Sequence, residues 1–521
     1  MILSTLLVEN ARNHGRSTAI LDGDRAYTWK DFTDRAARAA AALRGLGLRR
    51  GERYALIMRN SFRQAELIWA GYWSGIVPVP VNWRLSPGEI QAILEDSEAR
   101  LVAADEEFLA TISGPSFAPW RNRILKVESG ESATGAYETL LASVPPEAPA
   151  AVDEHDDAIL LYTGGTTGRS KGVRLTHRNV LANAWQIGLS IRLRPGDVYS
   201  HVAPMFHSAD LHGTVAFMLG CTHVYVPQFT PEGIAELIER HRISVAHWVP
   251  TMIKMFVDAP EAHRRDLTSL RLLFYGSSPM PLEWTQAVRA TLPGVELYHS
   301  YGLTETSPIL TVLDHNCVEQ AFKSGEMSLL RSAGKPVPGV ELRIVDETDR
   351  PVGTGESGEV VVRGPNISVG YLKRDADMAT AFRGGWFHTG DIGRVDEDGY
   401  LYLVDRKKDM IVTGGENVYS SEVEAALYRH PGVAEAAVIG VPDERLGEAL
   451  FAVIVPRSGS TLTVEELVHH CRAHIGGYKI PRRMAFVQAL PRTAVGKVQK
   501  ALLREMYAVA NPAKTGERLS G

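Results

Sequence analysis

Short apolar runs alternate with longer amphipathic stretches through about the first hundred residues, and this alternation limits the fold more than any other feature of the chain. Thr28 stands three positions before Asp31, the spacing of a helix-capping box, ahead of an Ala-rich amphipathic stretch that runs into Gly45 and Gly47. An apolar run at 54–58 follows, then helical spacing from Phe62, the Val/Pro segment 77–81, a second helical pattern at 89–96 and the run 101–103. Strands that alternate with helices form parallel sheet covered on both faces, because each crossover lays a helix against the sheet. The stretch 143–157, rich in Pro, Ala and acidic residues, reads as an exposed connection. From Val340 to Tyr402 the pattern shortens to strand-like runs broken by Gly and Asp, so residues 340–405 read as a small β-rich subdomain. After Asp405-Arg-Lys-Lys-Asp409 the mixed pattern returns, with a helix from Ser421 and a strand at 435–440. The expected class is therefore α/β. A large N-terminal domain over residues 1–408 carries two α/β-layered sheets and the β-rich subdomain, and a small α/β domain over 409–521 follows it.

Composition excludes several other classes. A length of 521 residues is too great for one ordinary core and implies roughly three or four structural units. Hydrophobic residues at 45% and charged residues at 22% are those of a globular protein in water. A formal net charge of −5 offers no global basic field, so no nucleic-acid partner is expected and any anion site must be built locally. The longest apolar stretches, such as 67–80, are interrupted by Gly and Pro and fall short of a membrane span; no integral membrane segment is expected. The N-terminus lacks a basic leader and a full apolar segment, so it does not read as a signal peptide. Cys221, Cys317 and Cys471 are widely spaced and odd in number, which argues against a disulfide framework and points to a reducing, cytoplasmic location.

The segment Leu160-Leu-Tyr-Thr-Gly-Gly-Thr-Thr-Gly-Arg-Ser-Lys-Gly172 carries the most chemistry. An apolar run of strand character delivers the chain into a Gly/Thr-rich loop ending in Lys171. Glycines let backbone N–H groups approach an anion, hydroxyls add donors and the lysine supplies positive charge, a set suited to the triphosphate of ATP. Gly172, rather than Ser or Thr, follows the lysine and the glycine spacing differs, so this is not a Walker-type loop. The competing reading is a flexible, Gly-rich surface turn.

This segment resembles the signature of the adenylate-forming superfamily, which includes acyl-CoA synthetases, luciferases and the adenylation domains of peptide synthetases. The usual form reads Tyr-Thr-Ser-Gly-Thr-Thr-Gly-x-Pro-Lys-Gly; here Gly164 replaces the serine and Ser170 the proline. One phosphate donor and some loop stiffness are lost, while the lysine and the Thr-Thr-Gly centre remain. Further motifs follow in the family's order: Pro204-Met-Phe-His207, Tyr275-Gly-Ser-Ser-Pro279, Tyr301-Gly-Leu-Thr-Glu305, Trp386-Phe-His-Thr-Gly-Asp391, Gly414-Gly-Glu-Asn-Val-Tyr419 and Pro491-Arg-Thr-Ala-Val-Gly-Lys497. Each is weak alone, and together they span nearly the whole chain.

The resemblance implies the following roles. Thr163, Gly164, Gly165, Thr166, Thr167, Gly168 and Lys171 would cradle the triphosphate; Gly276, Ser277, Ser278, His299, Ser300, Tyr301 and Gly302 would surround the adenosine, with Tyr301 stacked on adenine. Thr304 would bond phosphate, and Glu305, with Thr163, would hold Mg2+; Thr304, Glu305 and Lys497 form the catalytic set. Asp391 and Arg406 would take the ribose hydroxyls. Phe206, His207, Trp248, Tyr275, Gly302 and Pro308 would line the acyl pocket. Gly414, Gly415, Glu416, Tyr478 and Lys479 would meet coenzyme A. Lys408 occupies the hinge about which the C-terminal domain turns between the two half-reactions. Plainer readings stand beside these: Glu305 as a surface acid, Asp391 as a turn former, His207 as a core histidine, and the basic stretch 478–483 with Arg472 as a solvated face. Two sets with a superficial look of metal ligands, His207/Asp210/His212 and His469/His470/Cys471/His474, lack the paired spacing of a structural zinc site.

The implied reaction is ATP-dependent activation of a carboxylic acid as an acyl-adenylate, followed by thioester formation with coenzyme A, with ATP, Mg2+ and coenzyme A required. The chain ends about two dozen residues past Lys497, which leaves no room for a fused carrier domain. Phe206, Trp248, Tyr275 and Ser307-Pro-Ile-Leu310 suggest an apolar or aromatic slot, and His247-Trp-Val-Pro-Thr251 resembles acyl- and aryl-CoA ligases more than amino-acid activators. The expected acid is a medium-chain fatty acid or a cinnamate-like aryl acid. Transfer to a separate carrier protein is the nearest alternative. A pseudoenzyme that binds acyl-adenylates is a second, against which stands the presence together of Lys171, Glu305, Asp391, Arg406 and Lys497. A homodimer is left open.

Overall fold

Thr28 does cap the helix Trp29–Gly45, and its box closes in both directions: the Thr28 hydroxyl accepts from the Asp31 N–H while the Asp31 carboxylate accepts from the Thr28 N–H. In the computed structural model, which describes residues 2–128, 135–163, 170–278, 280–413, 416–443, 445–493 and 497–508, this pattern of capped helices between short strands recurs. Ser61 caps Phe62–Ser74, and Ser86 caps Pro87–Asp96 with Glu89 completing a second box. The chain divides into two units, one formed by residues 1–342 and 362–387, the other by 343–361 and 388–521.

In the first unit the strands Val77–Pro80, Arg53–Ile57, Leu101–Asp105 and Ile124–Val127 lie side by side in that order, all parallel. They are buried on both faces: alternate residues of one strand, Tyr54 and Leu56 against Ala55 and Ile57, belong to two different apolar cores. A second sheet of nine strands has a parallel centre, in which Thr222–Tyr225, Val198–His201, Val245–Trp248, Leu272–Gly276 and Glu296–Tyr301 are neighbours in that order. Antiparallel strands close its edges, with Thr311–Leu313 beside Glu296–Tyr301. The α/β class expected from the alternation is the class observed.

One segment leaves the alternation. The strand Asp157–Thr163 returns directly as Lys171–Thr176, antiparallel, with Thr163 opposite Lys171. A two-residue strand, Gly370–Tyr371, joins the far side of this hairpin, Tyr371 pairing with Val173. The hairpin leads into the helix His177–Ser190, whose Thr176/Asn179 box is buried.

That helix is the anchor for the site. Asn179 donates to the carbonyls of Pro365 (2.9 Å) and Ile367 (2.8 Å), and Asn183 donates to the Ile309 carbonyl (2.9 Å) and accepts from the Ile309 N–H (3.1 Å). Asn366, fully buried, donates to the carbonyls of Thr306 and Ile309 at 2.8 and 3.0 Å and accepts from Gln186 through its side-chain oxygen. Buried amides with all these partners satisfied fix one arrangement of the irregular backbone at 304–310 and 365–368.

In the second unit the order is Glu416–Val418, Ile411–Thr413, Gly447–Pro456, Val433–Asp443, and Arg483–Phe486 adds in parallel to Gly447–Pro456. Val438 and Ile454 face a core with the helices Ser420–Tyr428 and Val464–Arg472, while Ile439 and Val453 face Leu503 of the helix Lys500–Ala508. Here too the strand Leu401–Arg406 pairs antiparallel with Trp386–Val395. No helix among the described residues is long and apolar enough to cross a membrane.

Replacing Asn179 with Ala removes half of a capping box and two carbonyl partners from a buried position. The expected loss is about 2 kcal/mol, read as a lower urea midpoint for the transition that includes the first unit.

Candidate active site

Four strands of the nine-stranded sheet end, at their C-terminal edges, on residues with polar or aromatic side chains: His201, Trp248, Tyr275-Gly276 and Ser300-Tyr301. The C-terminal ends of parallel strands are where open α/β sheets bind ligands, because loops diverge there and leave a crevice. Tyr275 and His299 sit opposite each other on adjacent strands and their rings stack, 5.1 Å apart and inclined by 13°. Burial pushes the Tyr275 phenol up to about 12 and lowers the His299 imidazole, so both are uncharged at neutral pH. His299 Nδ1 hydrogen-bonds the Ser332 carbonyl at 3.1 Å. Trp248 is fully buried against Phe229 and Phe256, and its indole nitrogen has no hydrogen-bond partner among the described residues.

The backbone comes very close at two glycines. A Cβ on Gly276 would lie 2.4 Å from the Ser300 carbonyl oxygen, and one on Gly302 would lie 1.9 Å from that of Pro308. Between them Ser277 holds a left-handed φ of 71°, and Ser278 follows. Gly302 lets the chain fold back from Tyr301 into the short turn Thr304–Thr306, where Ser307, also left-handed, precedes the buried Pro308.

On that turn the Thr304 hydroxyl meets the Ser208 hydroxyl at 3.1 Å, and Glu305 accepts the Tyr371 phenol at 2.9 Å. Phe206 is buried and His207 half-buried; His207 Nδ1 accepts from the Ala209 N–H, which leaves the proton of a neutral ring on Nε2. With His201, Asp210 and Tyr225, His207 borders a cavity of about 30 Å³. Lys171 forms an ion pair with Asp377 at 2.7 Å, and its ammonium lies 5.2 Å from the centre of the Tyr371 ring. Carboxylate and hydroxyl oxygens are donors that suit a hard divalent cation, so Glu305 fits Mg2+, which when bound with a triphosphate would neutralise its charge. Gly164, Gly165, Thr166, Thr167 and Gly168 lie outside the described residues, as do Gly414 and Gly415.

The second unit brings together its own set. Asp391 and Arg406 are cross-strand partners and form an ion pair at 2.6 Å, with Asp391 buried and Arg406 part-exposed. Nearby, buried Glu359 receives Lys407 (3.1 Å) and His388 (3.3 Å). Lys408 is exposed, and its carbonyl accepts from Arg504, whose guanidinium pairs with Asp409 at 2.6 Å. Lys497 is half-buried, its N–H bonded to the Thr493 hydroxyl. Glu416 and Tyr478 are exposed; Lys479 pairs with Glu422 at 2.7 Å, and Arg483 with Asp443 at 2.6 Å.

Residues 7–372 match the profile of the AMP-binding enzymes, and residues 422–497 that of the AMP-binding enzyme C-terminal domain. The chain belongs to the AMP-binding enzyme family. It is 37% identical over 503 residues to a feruloyl-CoA synthase of Amycolatopsis sp, covering 96% of this chain and 98% of the relative. Among solved structures, ATP-bound MatB from Rhodopseudomonas palustris superposes with a TM-score of 0.87 at 30% identity, over 97% of this chain and 99% of that one. An o-succinylbenzoate-CoA synthetase from Bacillus subtilis, in complex with its acyl-adenylate intermediate, gives 0.84 at 28% identity over 97% and 98%. As a member of this family the chain is an AMP-forming acid–thiol ligase that uses ATP with Mg2+, and coenzyme A as the thiol.

Tyr371, Asp377, Ser208 and Glu359 join the residues singled out by sequence, although none stands in a motif that marks it. Their partners lie 66, 206, 96 and 48 positions away along the chain, and no local spacing reveals such pairs. Asp377 competes with any anion for Lys171. Asp377→Asn is expected to tighten ATP binding about two-fold, the modest effect of a part-exposed ion pair, measurable by titration calorimetry with the triphosphate in the absence of acid.

Proposed function

We propose that this AMP-forming ligase activates an aryl acid of the cinnamate type. The observation that carries this reading is the flat, uncharged Tyr275–His299 stack at the C-terminal edge of the central sheet, with the buried Trp248 in register with Tyr275 on the neighbouring strand. An apolar wall with few polar anchors favours a planar ring over a charged or amino-bearing acid. The name of the feruloyl-CoA synthase relative points to the same class.

In the first half-reaction a carboxylate oxygen forms a bond to the α-phosphorus of ATP as the bond to pyrophosphate breaks. Charge gathers on phosphate oxygens, so fixed donors and cations lower the barrier. In this reading Thr163, Lys171, Thr304 and Lys497 supply them, Glu305 holds the Mg2+, Tyr301 stacks on adenine, and Asp391 with Arg406 takes the ribose. The thiolate of coenzyme A then attacks the acyl carbon and AMP leaves. Glu416, Tyr478 and Lys479 are assigned to coenzyme A, although Lys479 must first exchange Glu422 for a phosphate. Lys408 is assigned as the hinge between an adenylating domain, 1–408, and a C-terminal domain, 409–521.

AMP release and loss of free thiol, followed across cinnamates, benzoates and C2 to C16 fatty acids with ATP, Mg2+ and coenzyme A, test the substrate class. A kcat/KM for cinnamates at least tenfold above that for C6 to C10 acids is expected, and the reverse order would replace the proposal with a fatty acid. Lys497→Ala is expected to slow adenylate formation by about a hundredfold, yet leave thioester formation from preformed acyl-AMP within a few-fold of normal. Lys408→Pro should do the opposite, since it restricts the backbone at the hinge and spares the adenylating groups.

A further inference from the structure

The segment 366–371 is bound to the turn that carries Glu305 at four points. Asn366 donates to the Thr306 carbonyl (2.8 Å), the Ser307 hydroxyl donates to the Asn366 carbonyl (2.8 Å), the Ser368 N–H donates to the Glu305 carbonyl (2.8 Å), and the Tyr371 phenol donates to Glu305 Oε1 (2.9 Å). The same segment is zipped to the strand that begins at Lys171. Gly370 and Tyr371 pair with Arg174 and Val173, and the Leu372 N–H donates to the Gly172 carbonyl at 2.8 Å. Tyr371 is thus the residue at which the turn bearing the acid and the strand bearing the phosphate-loop lysine are tied together.

We infer that Tyr371 is a positioning residue for the cation site: its phenol fixes the Glu305 carboxylate through Oε1 and leaves Oε2 to meet the Mg2+ that accompanies ATP. This deepens the proposed assignment of Glu305 and rests on it.

Two features support the inference. Among the described residues the Tyr371 phenol is the one hydrogen-bond donor to the Glu305 carboxylate, and it orients that side chain. Lys171, which would otherwise be drawn to the acid across the Tyr371 ring, is held by Asp377 at 2.7 Å. A carboxylate offers about four lone-pair positions on two oxygens; one donor on Oε1 orients the group without consuming its capacity for a metal. The Tyr371 ring is itself braced edge-on by Phe382, 6.0 Å away at 71°, and the backbone at Gly370 is held at a φ of 116° that a side chain would rarely adopt.

The test is nucleotide binding, without acid or coenzyme A so that no turnover occurs. Calorimetric affinities for ATP are compared with Mg2+ and with EDTA, for the unmodified protein, Tyr371→Phe and Glu305→Gln. Tyr371→Phe keeps the ring, and with it the contacts to Lys171 and Phe382. Its affinity for metal-free ATP should stay within two-fold, while the gain in affinity conferred by Mg2+ falls about tenfold, and in adenylation the half-saturating Mg2+ rises by a similar factor with kcat restored at high Mg2+. If Glu305→Gln loses the Mg2+ gain and Tyr371→Phe retains it, the positioning role is wrong and the metal assignment of Glu305 stands. If Glu305→Gln also retains the gain, the metal assignment fails and the inference falls with it. An equal loss of affinity with and without Mg2+ in Tyr371→Phe would mark a merely structural residue and would likewise overturn the inference.

Discussion

The buried amides along the helix His177–Ser190 are the constraint on which the first unit's candidate site depends. The site's backbone at 301–310 and 365–371 is irregular, and irregular backbone inside a protein must still find partners for its N–H and C=O groups. Asn179, Asn183 and Asn366 provide them, with Gln186 holding Asn366 in turn. A helix is stiff, so side chains at successive turns of it act as fixed pegs. Two loops far apart in sequence are thereby held against one rigid element, and Glu305, Thr304 and Tyr371 inherit that rigidity. Preorganised groups need no reordering when charge develops, which is the condition for electrostatic catalysis of adenylyl transfer.

Three of the cations assigned to the nucleotide and coenzyme A are already paired. Lys171 rests on Asp377, Arg406 on Asp391 and Lys479 on Glu422. On this assignment each pair must exchange or share a partner when ligand binds. The cost stays small because most of these side chains are partly exposed and water screens them. Asp391 differs. It is buried beside a part-exposed arginine, in a cross-strand position that sets its orientation through the sheet rather than through a loop.

Much of the fold was legible in order. The capping residue Thr28 stands where its helix begins, the helical stretches expected from Phe62 and at 89–96 are helices, capped by Ser61 and Ser86, and the alternating runs became two largely parallel sheets. Capping and periodicity are local, so a linear reading recovers them. The hairpin at Asp157–Thr176 was legible only as a strand entering a loop, because nothing in the Gly/Thr-rich segment states that the chain doubles back. In the second unit the strand 435–440 extends to Val433–Asp443, since its long partner Gly447–Pro456 continues the ladder beyond the apolar run.

The α/β class, the family and the order of motifs that carry the chemistry can be read along the chain, because they rest on residue types at short, fixed spacings. Which side chains orient those motifs emerges from the folded arrangement. That Tyr371 holds Glu305, that Asp377 occupies Lys171, and that Tyr275 lies flat on His299 are facts of distance between residues from 24 to 206 positions apart. Hydrogen bonds and ion pairs act over about 3 Å of space whatever the length of chain between the partners, and packing alone sets which groups come within that reach.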